Sequence, residues 1–149
     1  MKFSGRYLLE KPAVSFADTV EIREVRKEGN RLYIYSLPRS ADSHTFGGPM
    51  IEIYVSSPLP DIIRIQAQHF TGSRAKIPQF QLNEAYVELI TEEDGDRLTV
   101  KSGNARLEIL KNPAKFSFYY KERLLTSISN FFDRMILGYA EMPEGNFMR

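Results

Sequence analysis

The sequence predicts an all-β domain, an antiparallel β-sandwich. Three features carry that expectation. Apolar residues alternate with polar ones at period two along several short runs, convincing amphipathic helices are absent, and glycine-bearing turns separate the runs.

The first run covers 20–25. The next, 31–37, places Leu32 and Ile34 against Tyr33, Tyr35 and Leu37, so both faces are apolar and both should be covered. A run over 50–55 follows. The clearest alternation lies within 61–70: Ile63, Ile65, Ala67 and His69 point one way, and Arg64, Gln66 and Gln68 the other, as in a half-buried strand. Ala85, Val87 and Leu89 alternate with Glu84, Tyr86 and Glu88. Leu98 and Val100 alternate with Arg97, Thr99 and Lys101, and Ala105, Leu107 and Ile109 with Arg106 and Glu108. Runs at 116–120, 124–128 and 135–139 complete the set.

The turn residues agree. Glu28-Gly29-Asn30, Asp94-Gly95-Asp96 and Ser102-Gly103-Asn104 supply candidates for positive φ, and Pro58 and Pro60 bracket a turn before Asp61. Residues 39–49 and 71–83 lack a strand pattern and read as long loops. A closed barrel is the competing architecture at this stage. No internal repeat, low-complexity tract or linker divides the chain, so residues 1–149 are expected to form one domain.

A chain of 149 residues can remove about two-thirds of its unfolded surface from water. Lys and Arg number 20 against 19 Asp and Glu, and a net charge of +1 gives no electrostatic reason to bind nucleic acid or an anionic membrane. The absence of cysteine excludes disulfides, a thiol nucleophile and cysteine-based zinc sites. It suits a cytoplasmic protein. No apolar stretch approaches the ~20 residues of a membrane helix, and residues 1–6 lack the apolar run of a signal peptide.

Candidate chemistry is sparse. His69 falls on the apolar face of its run and reads as a core histidine with a satisfied hydrogen bond. His44 lies in the polar segment Ser40-Ala41-Asp42-Ser43-His44-Thr45, but triad members converge from separate elements rather than crowding into one loop. Glu92, Glu93, Asp94 and Asp96 surround a glycine turn and read as solvated turn residues; their spacing is not that of an EF-hand. Gly47-Gly48 is too short to cradle a phosphate. Phe116, Phe118 and Tyr120 share one strand face, with Tyr119 opposed and Phe131-Phe132 nearby. Exposed, such rings could stack on sugars; buried, they fill a sandwich core, the commoner use. No catalytic, cofactor-binding or metal-binding residue is assigned.

Several segments, taken in order, resemble the amino-terminal region of family 31 glycoside hydrolases of the bacterial α-xylosidase and α-glucosidase type. They are Val20-Glu-Ile-Arg-Glu-Val25, Leu32-Tyr-Ile-Tyr-Ser-Leu-Pro-Arg39, Ile51-Glu-Ile-Tyr-Val-Ser-Ser-Pro58, Ile63-Arg-Ile-Gln-Ala-Gln-His-Phe70, Val100-Lys-Ser-Gly-Asn104 and Phe116-Ser-Phe-Tyr-Tyr120. The likeness lies in their order and spacing across 20–128, since no single segment is exclusive to the family. One departure is visible: Tyr120-Lys121-Glu122-Arg123 lacks the glycine that the family often carries in that hairpin.

The resemblance implies a galactose-mutarotase-like β-sandwich followed, in the family, by a (β/α)8 barrel that bears both catalytic aspartates. Nothing in this chain corresponds to either aspartate. The expectation is therefore a non-catalytic amino-terminal piece of a longer retaining α-glycosidase, incomplete at its C-terminal end and inactive alone. Its partners would be the parent's barrel, a carbohydrate substrate through the parent, and a second copy of itself, because missing strands leave a sticky edge. Cofactors, nucleic acid and membrane are not expected. An independent carbohydrate-binding module and a purely structural oligomerisation domain are the alternatives.

Overall fold

The computed structural model describes residues 15–38, 51–69, 85–129, 138–143 and 145–148. They form eleven strands, with no helix among the described residues. These are β1 (Ser15–Glu28), β2 (Arg31–Pro38), β3 (Ile51–Ser56), β4 (Arg64–His69), β5 (Ile90–Asp94), β6 (Arg97–Ser102), β7 (Ala105–Lys111), β8 (Ala114–Tyr120), β9 (Arg123–Ile128), β10 (Gly138–Met142) and β11 (Gly145–Met148).

Two antiparallel sheets result. One has six strands in the order β11-β10-β1-β2-β3-β4, and the other five in the order β5-β6-β7-β8-β9. The five-stranded sheet is a plain meander, as its short two-residue turns require. In the six-stranded sheet β1 is shared: Ser15 to Asp18 pair with β10, and the rest pairs with β2 through two register shifts. The chain is thus a two-sheet sandwich, and the barrel alternative falls away.

The core lies between the sheets. Ile22, Leu32, Ile34, Ile51, Ile53 and Val55 from one sheet cluster with Leu98, Val100, Leu107, Ile109, Ala114 and Phe116 from the other. Register explains the layering: Ile34 faces Ile53, which faces Ala67, and Leu98 faces Ile109, which faces Phe116. Burying each large aliphatic or aromatic side chain contributes about 1.5–3 kcal/mol, so this layer supplies most of the force holding the sheets together. The period-two expectation holds for β6 and β7, whose buried positions are Leu98, Val100, Ala105, Leu107 and Ile109. It holds also for Ile63, Ile65 and Ala67, which pack against the core.

Two expectations need correction. Ala85, Val87 and Leu89 do not make a strand: Val87 forms only an isolated bridge to Ser57, and Tyr86 turns the backbone to φ 47°. The strand begins where that alternation stops, at Ile90, and Glu92, Glu93 and Asp94 are strand residues rather than turn residues. β5 is an edge whose residues are all exposed, so no buried face imprinted a period on its sequence. The outer face of β2 is covered at Tyr33, as expected, and the cover comes from neighbouring side chains. Tyr33 is 7% exposed. The Arg26 guanidinium lies 4.5 Å from its ring centre, and Tyr54 meets it edge-on at 5.5 Å.

The glycine turns form as expected, with Gly29, Gly95 and Gly103 at φ 59°, 56° and 56°. In the hairpin without glycine, Lys121 itself adopts φ 54°. Residues 39–49 and 71–83 lie outside the described residues. Of the run at 135–139, only Gly138 and Tyr139 are described, in β10, and β11 had no counterpart among the expected runs.

Candidate functional site

Of the residues weighed for chemistry, the structure describes the acidic cluster and the aromatic strand. Among the described residues no group of three His, Asp, Glu or Cys could hold a metal ion. Glu92 receives the Lys101 ammonium at 2.8 Å and Glu93 that of Lys111, so two of the clustered carboxylates are matched by lysines of neighbouring strands. His44, Gly47, Gly48, Phe131 and Phe132 lie outside the described residues. His69 pairs with Ile51 through its backbone, and its side chain is likewise outside the description. Phe116 is fully buried, and Phe118 packs on the core. Arg106 stacks on Tyr119 at 4.1 Å, and Tyr120 alone of the four is exposed.

What the structure does assemble is one end of the sandwich. The β3–β4 connection crosses there onto the β6–β7 turn. Asp61 Oδ1 accepts the Asn104 backbone N–H at 2.5 Å and its side-chain amide at 3.3 Å. The carboxylate occupies the space above Gly103: a Cβ there would sit 2.1 Å from Asp61 Oδ1. Glycine is thus required twice, by its positive φ and by this close approach. Behind the contact, the Ser57 and Ser102 hydroxyls meet at 2.7 Å in a buried pair. Ser57 gives its one proton to the Leu59 carbonyl at 2.8 Å, so the Ser102 hydroxyl must be the donor to Ser57.

The same end draws in further turns. Asn104 accepts a backbone bond from Lys121 in the β8–β9 turn, the Pro58 carbonyl accepts one from Ala85, and the Tyr86 carbonyl accepts the Asn30 side chain from the β1–β2 turn. All three non-glycine residues with positive φ among the described residues, Asp61, Tyr86 and Lys121, lie here. Backbone strain of this kind clusters at functional sites. Leu59, Ile62, Tyr86, Tyr120 and Leu124 are exposed large apolar side chains on or beside these turns. The end is thus braced by polar contacts and carries exposed apolar side chains, which suits a docking surface.

Sequence reading marked the glycines and the Pro58–Pro60 turn but missed Ser57, Asp61, Ser102 and Asn104 as a unit. Their only sequence signal is membership of turns; the contacts between Ser57 and Ser102 and between Asp61 and Asn104 span 45 and 43 residues.

On the outer face of β1–β4, the described tyrosines Tyr33 and Tyr54 are each met by an arginine. Arg26 covers Tyr33, and Arg31 lies 4.4 Å from the Tyr54 ring centre. The Tyr33 hydroxyl donates to Glu52 at 3.1 Å, and Gln68 donates to the same carboxylate at 3.3 Å. Burial first, and then the Glu52 carboxylate, push the Tyr33 phenol above its ordinary value, while Arg26 opposes them. Among the described residues no helix is long and apolar enough to cross a membrane.

No family model matches the sequence. Solved structures share the fold. The cycloalternan-forming enzyme from Listeria monocytogenes, in complex with a pentasaccharide substrate, superposes with a TM-score of 0.64 at 18% identity, over 86% of this chain and 11% of that one. An uncharacterized protein of Listeria monocytogenes EGD-e, in complex with α- and β-D-glucose, magnesium and calcium, gives 0.63 at 17% identity with the same coverage. At such identities the likeness establishes a shared sandwich fold, and this chain spans about a ninth of the length of the proteins it matches.

Proposed function

We propose that this chain is a non-catalytic β-sandwich region of a carbohydrate-active enzyme, the amino-terminal part of a family 31 retaining α-glycosidase of the α-xylosidase or α-glucosidase type. The observation that carries the reading is the fold match of most of this chain to a small part of a much longer enzyme crystallised with an oligosaccharide. The ordered sequence segments point to the same family. The role is mechanical: the braced end, with Leu59, Ile62, Tyr86 and Tyr120, packs on the (β/α)8 barrel and helps shape the rim of its cleft. The covered tyrosines of the outer face give no support to an independent sugar-binding module.

Two measurements test the reading. The purified chain should not hydrolyse a chromogenic α-xyloside or α-glucoside, and turnover by it would sink the proposal. Calorimetric titration with xylo- and malto-oligosaccharides should show no heat of binding; saturable binding would favour the sugar-binding module instead.

A further inference from the structure

Among the described residues the five-stranded sheet has two edges of opposite character. β5 carries Glu92, Glu93 and Asp94 in succession, a charged rim that discourages pairing with another strand. β9 reads Arg-Leu-Leu-Thr-Ser-Ile, with no carboxylate and a single cation at its start. Its residues 123–127 are exposed, and Leu124 and Leu125 are 53% and 60% exposed. A register shift against β8 twists this edge, but the residue it inserts is Leu125 rather than a charge, so the usual protection of a bulge comes without its usual electrostatic help.

We propose that β9 is a self-pairing edge whose partner is a second copy of this chain, joined antiparallel to β9 so that two five-stranded sheets become one continuous sheet across a two-fold axis. Charge selects this partner. Centred on Leu125, the pairing sets Leu125 opposite its own copy and Arg123 opposite the second copy's Ser127, and keeps the two Arg123 at opposite ends of the joint. No like charges meet, and Leu125 loses exposure against the second copy's Leu125 while the two Leu124 become diagonal neighbours. A head-to-tail joint from β9 to another copy's β5 is less favourable. Lys101 and Lys111 already occupy Glu92 and Glu93, and such a joint would not close. The inference uses the edges alone and does not depend on which enzyme the chain belongs to.

The whole 149-residue chain serves for the test, and the absence of native cysteine makes single-cysteine mapping clean. In sedimentation equilibrium the chain should be dimeric at ~100 μM, and Leu125→Lys should weaken the dimer at least about tenfold while Ile90→Lys on the opposite edge leaves it unchanged. Under mild oxidation Leu125→Cys should form a covalent dimer and Ile90→Cys should not. A monomer at the highest concentration reached, a dimer untouched by Leu125→Lys, or a ladder of growing species would each overturn the proposal. Thermal unfolding of both lysine variants separates lost association from lost folding, since both sites are exposed.

Discussion

Between the sheets, Ile34, Ile53, Val100, Leu107, Ile109 and Phe116 are closed to solvent and belong to one apolar cluster. At the turn-bearing end the same two sheets are joined through hydroxyls and a carboxylate: Ser57 to Ser102, and Asp61 to Asn104. The middle is held by a non-directional force that scales with the area and volume filled. The end is held by directional bonds that each depend on one geometry. A substitution in the middle should therefore cost according to the volume it removes. One at the end should cost according to which donor or acceptor it strands.

The largest expected effect lies in the middle. Phe116 has no exposed surface, and Phe116→Ala should lower unfolding free energy by about 3–5 kcal/mol, read by urea denaturation. A loss under about 1 kcal/mol would mean that the two sheets are not held by this layer.

Gly103→Ala comes next, at about 2 kcal/mol, from a Cβ in left-handed backbone and from displacement of the Asp61 carboxylate. Gly29→Ala serves as the control: it has the same backbone hand with nothing within 4 Å of the new Cβ, and should cost less. Equal losses at the two glycines would remove the close approach from the account.

The serine pair should behave asymmetrically. Ser57→Ala strands the buried Ser102 donor and should cost about 1–3 kcal/mol, while Ser102→Ala leaves Ser57 bonded to Leu59 and should cost nearer 1 kcal/mol. The double variant should lose less than the sum, as expected when both partners of one bond are removed together. Additive losses would show that the hydroxyl pair is not coupled.

The smallest effect belongs to the outer face. Tyr33→Phe removes the bond to Glu52 and should cost about 1 kcal/mol at neutral pH. Because the folded phenol titrates above its unfolded value, the unfolded chain loses the proton first. Stability from this group is complete below about pH 10 and declines as pH rises through the folded value. Tyr33→Phe should flatten that alkaline decline, measured by denaturation at neutral pH and in the alkaline range. An unchanged decline would assign it to other tyrosines.

Legibility in the sequence followed burial. β4, β6 and β7 each have one face in the core, and their alternation was visible because water and core selected residues on a period of two. β5 has neither face buried, so its identity as a strand rests on backbone pairing with β6, to which Glu92 and Glu93 are indifferent. The run at Ala85, Val87 and Leu89 shows the converse. Leu89 is a true core residue, yet Tyr86 breaks the backbone before pairing can extend beyond Val87. Phe116 was read correctly as core against the sugar-stacking alternative. The covered outer face of β2 was also foreseen, though its cover turned out to be Arg26 and Tyr54 rather than another layer.

The amino-acid order by itself determined the fold class, because period-two patterning and glycine turns act within a few residues of each other and need no knowledge of the partner strand. It also determined the turn conformations at Gly29, Gly95 and Gly103, where only a residue without Cβ is at ease. The tertiary structure alone decided which edge of the five-stranded sheet is acidic and which is apolar, that Asp61 closes over Gly103, and that Leu59, Ile62, Tyr86 and Tyr120 come together at one end. The closure of Asp61 over Gly103 depends on contacts between residues more than forty positions apart, which exist only once the two sheets have met, and the two edges depend on which strands pair.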